Sequence, residues 1–520
     1  MKDEIFFRDK LEDEWEANEV YAILSECDKD FEPPLSERGS TVQKTWEKKS
    51  GDGVRNYFNE VAKQHTLFLK REKKIIAFLS FRSMEECEAL KNYRDICYFT
   101  TLCIRKEYRG QGLALVLYQK AKEYVEESSR YTVMALRTWS TNKTQLHLME
   151  KMDFHCETRL KNDRGEGIDT LYFVKEITGK GIRAYGYTIG NGKCGIRNTI
   201  TDVPGVKVGH YTVRKGKNQT GVTVIIPCDG FVYERKPLAA VYALNGFGKT
   251  QGTVQIEELG VLETPIALTN TLNVGKAADG LVTFTEKECR KNGKELVSVN
   301  PVVGETNDSR INQITERVIE AEDVLFAIEH AEKNFKQGAV GAGRGTVCFG
   351  LKGGIGSASR ILMFGGTEYT IGVLVQSNFG KTQDLTVAGI PVGRQICTKI
   401  QNSAKEDKGS IMVIVGTDLP LGERQLKRVL KRAAVGLIRT GSFMGHGSGD
   451  VFIGFTNANG IPDTKEEQFH MMKYFPENQL DKVFRLVAEA VEESILNSLT
   501  CAKAMPGRDG EIYHSLSEFL

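Results

Sequence analysis

The amino-acid sequence predicts an α+β protein in two dissimilar parts. At 520 residues the chain is too long for one ordinary core. Residues 1–178 hold 7 of the 52 glycines and 179–520 the other 45, while all three tryptophans (Trp15, Trp46, Trp139) lie in the first part. In the second part, short β-type runs between glycines alternate with a few helices and show no regular βαβ rhythm, which indicates α+β layers. These shifts set an N-terminal domain at 1–178, a C-terminal domain at 195–520, and a glycine-rich linker at 179–194.

Composition removes several function classes. Hydrophobic residues at 40% and charged residues at 27% describe a globular protein, and a net charge of +2 offers no broad field for nucleic acid or an anionic membrane. The start, MKDEIFFRDK, has no apolar leader core, and no apolar run approaches ~18 residues, so no membrane association is expected. Eleven scattered cysteines without C-x-x-C, and eight histidines that do not join them, argue against structural zinc, any other metal site and a disulfide framework. A cytoplasmic protein is the expectation.

In chain order, residues 12–30 read as one or two helices and "EPPLSERGS" as loop. "HTLFLKRE" and "KIIAFLSFRS" alternate like a hairpin turning at Glu72-Lys73. The strand "ICYFTTLCI" (96–104) leads into a glycine turn and a helix on which Leu113, Leu117, Ala121 and Tyr124 repeat at helical spacing. The turn Arg109-Gly110-Gln111-Gly112-Leu113-Ala114 can serve only to reverse the chain. It also has the logic of a phosphate cradle, with small residues that admit backbone N–H groups at a helix N-terminus.

Here the sequence resembles the GNAT N-acetyltransferases, whose Q/R-x-x-G-x-G/A signature is matched by Arg109, Gly112 and Ala114. The resemblance covers roughly 12–176, including the strand "YTVMALRTWS", Asn142 and "LHLMEKMDF". It implies a mixed-sheet domain that binds acetyl-CoA. The pyrophosphate would lie on residues 109–114, the pantetheine along Leu102 and Ile104, and Asn142 nearby. The family's last helix usually reads L-Y-E-K-x-G-F, its tyrosine protonating the leaving thiolate. This chain has Met149 there, which has no proton to donate.

In the second part, "GERQLKRVLKRAAVGLIRTG" and "DKVFRLVAEAVEESILNSL" read as amphipathic helices, the basic face of the first as solvated surface. "GSIMVIVGTD" reads as an apolar strand starting at Ser410, entered from the charged loop "EDK". Gly409-Ser410 admits two readings. One is a turn and a capped strand end. The other is an N-terminal nucleophile released by self-cleavage, because glycine opens the preceding carbonyl to attack and permits a strained backbone. The freed α-amine, titrating at roughly 7.7–8.0, could then act as the serine's own base.

"GIRNTITDVPGVKVGH", "NGFGKTQG", "ELGVLETPIALTNTLNVG", "GAVGAGRGTVCFGLKGGIGSASR", "QSNFG" and "GHGSGD" follow the order found in the DmpA-type, or P1-family, aminopeptidases (L-aminopeptidase/D-esterases), over about 195–510. The resemblance implies an αββα sandwich cut by itself between Gly409 and Ser410, needing no cofactor for peptide hydrolysis and assembling as an oligomer. Its substrates would be short peptides, amides or esters. Ser410 would be the nucleophile and Asn378 the oxyanion donor, with Ser448 and Asp450 orienting the nucleophile and binding the amine. The family's active-site tyrosine has no counterpart in Gly304-Glu305-Thr306-Asn307-Asp308, and His446 is placed beside the site. The whole chain thus reads as a bifunctional aminopeptidase and N-acetyltransferase. Two other readings remain open: a peptidase regulated by a catalytically impaired acetyl-CoA-binding domain, and a transferase like the related ornithine acetyltransferases.

Overall fold

The computed structural model describes residues 3–38, 53–84, 87–91, 93, 96–127, 131, 133–177, 179–400, 409–463, 467 and 469–520. The charged triplet 406–408 lies outside them. The chain forms two compact units, Met1–Ile177 and Thr178–Leu520.

The first unit runs β1 (Asp3–Arg8), α1 (Glu14–Cys27), α2 (Gly53–Val61), β2 (His65–Arg71), β3 (Lys74–Met84), β4 (Ile96–Ile104), α3 (Leu113–Glu127), β5 (Val133–Trp139), α4 (Lys143–Lys151), β6 (His155–Leu160) and β7 (Thr170–Glu176). The seven strands make one sheet in the order β1-β2-β3-β4-β5-β7-β6. Every pairing is antiparallel except that of β4 with β5. Side chains alternate across a strand, so β2 and β3 feed both cores. Phe68 and Phe78 meet α1 and α2 through Ile23, Leu24 and Tyr57. Leu67 and Leu79 meet α3 and α4 through Leu117, Ala121 and Met149. The hairpin turns at Glu72, whose φ is 56°. Strand β1 is an addition to the sequence reading: Ile5, Phe6 and Phe7 pair along β2 inside a stretch otherwise charged.

The position of the first site is set by one irregularity. β4 pairs with β5 only from Ile96↔Val133 to Phe99↔Leu136. Against β3, Thr100 is an extra residue between Phe99 and Thr101. Beyond that bulge the two parallel strands part, and a slot opens between their unpaired halves.

The second unit runs β8 (Lys207–Lys215), β9 (Asn218–Ile226), β10 (Arg235–Gly246), α5 (Thr253–Leu259), β11 (Ile266–Asn270), α6 (Val274–Lys291), β12 (Val302–Thr306), α7 (Ala321–Glu329), the short β13 (Val347–Cys348) and β14 (Leu351–Lys352), β15 (Ile355–Phe364), β16 (Thr367–Asn378), α8 (Gly393–Ile400), β17 (Ser410–Thr417), α9 (Glu423–Arg439), β18 (Gly449–Pro462) and α10 (Leu480–Thr500). A five-stranded sheet, β10-β18-β17-β16-β15, faces a four-stranded one, β12-β11-β9-β8. Leu268, Leu374, Met412, Ile414 and Ile453 fill the space between them. Leu430, Leu437, Val487 and Val491 of α9 and α10 cover the outside of the first sheet. Ala277, Leu281, Val324 and Ala327 of α6 and α7 cover the second. The layers are α, β, β, α.

Two expectations change here. Residues 179–194 do not hang as a tether: Ile182 is fully buried and its N–H donates to Asn497 Oδ1 at 2.8 Å. Helix α10 is not amphipathic along its length, because Glu489 and Glu493 are buried beside the fully buried Arg360. The basic residues of α9 meet acids, Lys427 pairing with Glu257 and Arg428 with Glu477. Among the described residues no helix is long and apolar enough to cross a membrane.

Candidate active site

Three strand ends meet at one level of the five-stranded sheet. β16 ends at Asn378, which lies opposite Ser410, the first residue of β17, which in turn lies opposite Gly449, the first of β18. Met412 and Ile414 point between the sheets, so by alternation Ser410 opens into the same space. Its Oγ accepts the Gly449 N–H at 3.2 Å. Asn378 Oδ1 accepts the Val347 N–H at 2.9 Å, which leaves the amide's NH₂ as its free donor end. Ser448 Oγ donates to Asp450 Oδ1 at 2.7 Å, and both residues are buried.

Ser410 and Asn378 line a cavity of about 310 Å³ with Gly409, Phe247, Lys249 and Glu305. Ser448, Asp450 and His446 do not reach its wall; Ser448 and Asp450 flank Gly449, beside Ser410, and His446 is exposed. Gly409 is glycine for want of space, since a Cβ there would stand 1.9 Å from the Asn378 carbonyl oxygen. Its φ is not in the left-handed region, so the expected strain gives way to close approach as the reason.

Glu305, within the stretch that lacks a tyrosine, reaches the cavity with a buried carboxylate. It accepts the Lys249 N–H at 2.9 Å and a hydrogen bond from Thr271 Oγ1. Among the described residues, Phe247 and Phe379 are the aromatic residues on this wall, and no tyrosine joins them there. The stretch "NGFGKTQG", which contains Phe247 and Lys249, was the available signal for this wall.

Beside the cavity, burial pushes the Asp308 carboxyl up to about 6, although Thr220, Asn312 and Asn270 donate to it. An unfolded aspartate loses its proton near 3.8. The proton this carboxyl retains therefore favours the fold fully below pH 3.8, and that contribution is lost as the pH rises through 6. The effect of Asp308→Asn on stability should be more favourable at pH 8 than at pH 3.5 by about 3 kcal/mol, whatever its sign at pH 3.5. Urea unfolding at the two pH values checks this.

In the first unit, the slot between β4 and β5 has a volume of about 480 Å³ and is lined by Leu102, Ile104, Arg109, Gly110, Gly112, Leu113, Ala114 and Asn142 among others. Gly110 and Gly112 have φ of 77° and 76°, a turn only glycine enters freely, and α3 starts directly after them. The first N–H groups of a helix have no acceptor inside it, so the turn can meet a phosphate. Arg109 braces this turn, donating to Ile104 O (3.0 Å), Asp30 Oδ2 (2.7 Å) and Cys27 Sγ (3.3 Å). Asn142 caps α4 by accepting the Gln145 N–H at 3.2 Å. Gln111 departs from expectation: it is not on the slot wall, and its Oε1 accepts from Arg71 at 3.0 Å. Met149 is fully buried in the core. A phenol not singled out beforehand does line the slot: Tyr118, held by the Gln145 Nε2 donor at 2.9 Å and kept protonated because burial raises its pKa.

The sequence model of Peptidase family S58 matches residues 198–513. The chain belongs to peptidase family S58. The S58 part is 36% identical over 343 residues to the beta-peptidyl aminopeptidase BapA of Sphingosinicella microcystinivorans, covering 61% of this chain and 85% of that one. A crystal structure of a Pyrococcus horikoshii protein is 46% identical, with a TM-score of 0.61 over 65% of this chain and 96% of its own. The L-aminopeptidase D-Ala-esterase/amidase of Ochrobactrum anthropi, described as a variant of the Ntn-hydrolase fold, is 34% identical with a TM-score of 0.60, over 65% and 95% of the two chains. The acetyltransferase (GNAT) family matches residues 19–154, so a GNAT domain precedes the S58 part.

Proposed function

We propose that the protein is a self-cleaving serine aminopeptidase joined to an acetyl-CoA-dependent N-acetyltransferase. The observation that carries the first half is the shared level of Asn378, Ser410 and Gly449, which sets a hydroxyl and a carboxamide on the wall of one cavity. Ser410 Oγ attacks the Gly409 carbonyl, the acyl group moves from nitrogen to oxygen, and water hydrolyses the ester. Ser410 then carries its own amine as base. Asn378 NH₂ steadies the oxyanion of the substrate, and Asp450, held by Ser448, takes the charge of the new ammonium. Glu305 receives the N-terminal ammonium of a short peptide, amide or ester. The named relatives support a terminal L-α- or β-residue as the one released. Denaturing mass analysis should resolve fragments of 409 and 111 residues, the smaller beginning Ser-Ile-Met-Val; one uncut chain with full activity would make Ser410 a strand cap.

For the first unit, the parting strands and the glycine turn fit acetyl-CoA, held by the N–H groups of 110–114 and the edge of β4. When bound it supplies an acetyl thioester for transfer to an amine. Tyr118 holds a proton on the slot wall, the role that Met149 cannot fill; this favours a working transferase over a sensor. Tyr118→Phe should lower acetyl transfer about 10²-fold and leave acetyl-CoA affinity within twofold, by initial rates and calorimetry. Ala114→Asp sets a carboxylate where a pyrophosphate belongs. It should lose acetyl-CoA binding and keep aminopeptidase activity.

A further inference from the structure

Three arginines from three separate segments converge beside the slot of the first unit. Arg38 follows α1, Arg137 lies on β5, and Arg164 sits in the connection between β6 and β7. Arg38 and Arg164 donate to the same carbonyl, Glu32 O, Arg38 at 3.2 Å. Arg38 stacks over Phe31 at 5.1 Å and Arg164 over Trp139 at 5.3 Å, and these two rings lie 6.1 Å apart. Phe31, Trp139 and Arg137 all line the slot. Arg137 is the first residue of β5 past the last pair with β4, so it stands where the strands separate.

Gathering like charges out of water is costly, and the cost shows at Arg38 and Arg164, whose pKa values fall through burial, whereas, against its burial, Tyr98 and Tyr172 hold that of Arg137 up. Burial, with Arg38 and Arg137 as further causes, brings Arg164 down to about 9. Tyr98 and Asp163 act the other way, and Asp163 is also engaged by Thr170 Oγ1 at 2.6 Å. A small anion between the guanidiniums would relieve that repulsion. A planar fork on aromatic faces is the arrangement that receives a carboxylate with two bonds at once.

We propose that Arg137, on the slot wall, seats the carboxylate of the acetyl acceptor, with Arg38 and Arg164 adding positive charge beside it, so that the amine acetylated in this unit belongs to a free amino acid. This rests on the acetyltransferase reading above and narrows it to a substrate class. It also joins the two units chemically, since an aminopeptidase releases molecules that carry both an amine and a carboxylate.

The test uses the full chain with leucine, alanine and β-alanine, each against its amino alcohol (leucinol, alaninol, 3-aminopropanol), which lacks the carboxylate and offers the peptidase no bond to cut. Acetyl-CoA binding is measured first by calorimetry. The acids should be acetylated at least about tenfold better in kcat/KM than the alcohols. Arg137→Gln and Arg164→Gln should each collapse that ratio toward one, with acetyl-CoA affinity unchanged and part of the ratio restored by lysine. A variant that merely misfolds would lose acetyl-CoA as well. Acetyl-CoA binding with acids and alcohols treated alike, or with neither acetylated, overturns the carboxylate seat and leaves the cofactor site standing. Failure to bind acetyl-CoA overturns the transferase reading. The seat is then decided by equilibrium binding of N-acetyl-leucine against N-acetyl-leucinol: an acid preference lost in Arg137→Gln upholds it, and equal binding sinks it.

Discussion

Ser410→Ala should yield one intact 520-residue chain, folded and without aminopeptidase activity. Alanine removes the hydroxyl proposed to attack the Gly409 carbonyl, so neither the ester nor the α-amine forms. The loss is of nucleophile and base together, and a fall of roughly 10⁴-fold or more is expected. The fold should survive, because the hydroxyl accepts the N–H of Gly449 at 3.2 Å and little else depends on it, while every residue of β17 is buried between β16 and β18. That burial also predicts that wild-type fragments stay associated after the cut, at roughly 25 cal/mol for each Å² of apolar surface kept from water. Intact mass, gel filtration and release of p-nitroaniline from alanyl and β-alanyl p-nitroanilides read these outcomes. A cut or active alanine variant would remove Ser410 from the chemistry.

Arg360→Met should destabilise the second unit by about 3–5 kcal/mol. Arg360 is fully buried and donates to Glu489 Oε2 (3.3 Å), Glu493 Oε2 (2.7 Å), Ile189 O (2.7 Å) and Ser359 O (2.8 Å). Glu493 also takes Arg183, and Glu489 the Gly192 N–H at 2.9 Å. Methionine fills the volume but leaves two buried carboxylates short of a cation. Adding Glu489→Gln and Glu493→Gln should recover part of the loss. The three tryptophans all lie in residues 1–178, so tryptophan emission should report an unchanged first unit while circular dichroism records the early transition of the second.

Local patterns were legible where packing followed them. The strand at 96–104 forms as β4, and the amphipathic helix read in "GERQLKRVLKRAAVGLIRTG" forms as α9, which buries Leu426, Val429, Leu430, Ala433 and Leu437. What escaped reading depends on partners far away in the chain. Glu489 and Glu493 look like solvated charges until Arg360, from β15, is set beside them. Tyr118 is one more apolar-face residue until the β4–β5 separation turns that face into a slot wall. Glu305 reaches the peptidase cavity because β12 belongs to the opposite sheet, a fact of register and not of composition. Arg38, Arg137 and Arg164 are spread over more than a hundred positions and show no motif at all.

If Ser410 cuts the chain as proposed, the alignment of Asn378, Ser410 and Gly449 also sets a clock on biosynthesis. β18 and α10 lie in the last 72 residues of the chain, and the nucleophile has neither its neighbouring strand nor its outer helix until they leave the ribosome. On the proposed self-cleavage, a nascent or truncated polypeptide would therefore hold an inert serine in an unbroken peptide bond. Activity would begin only after the fold has passed its own inspection, and the cell would not be exposed to a half-made peptidase.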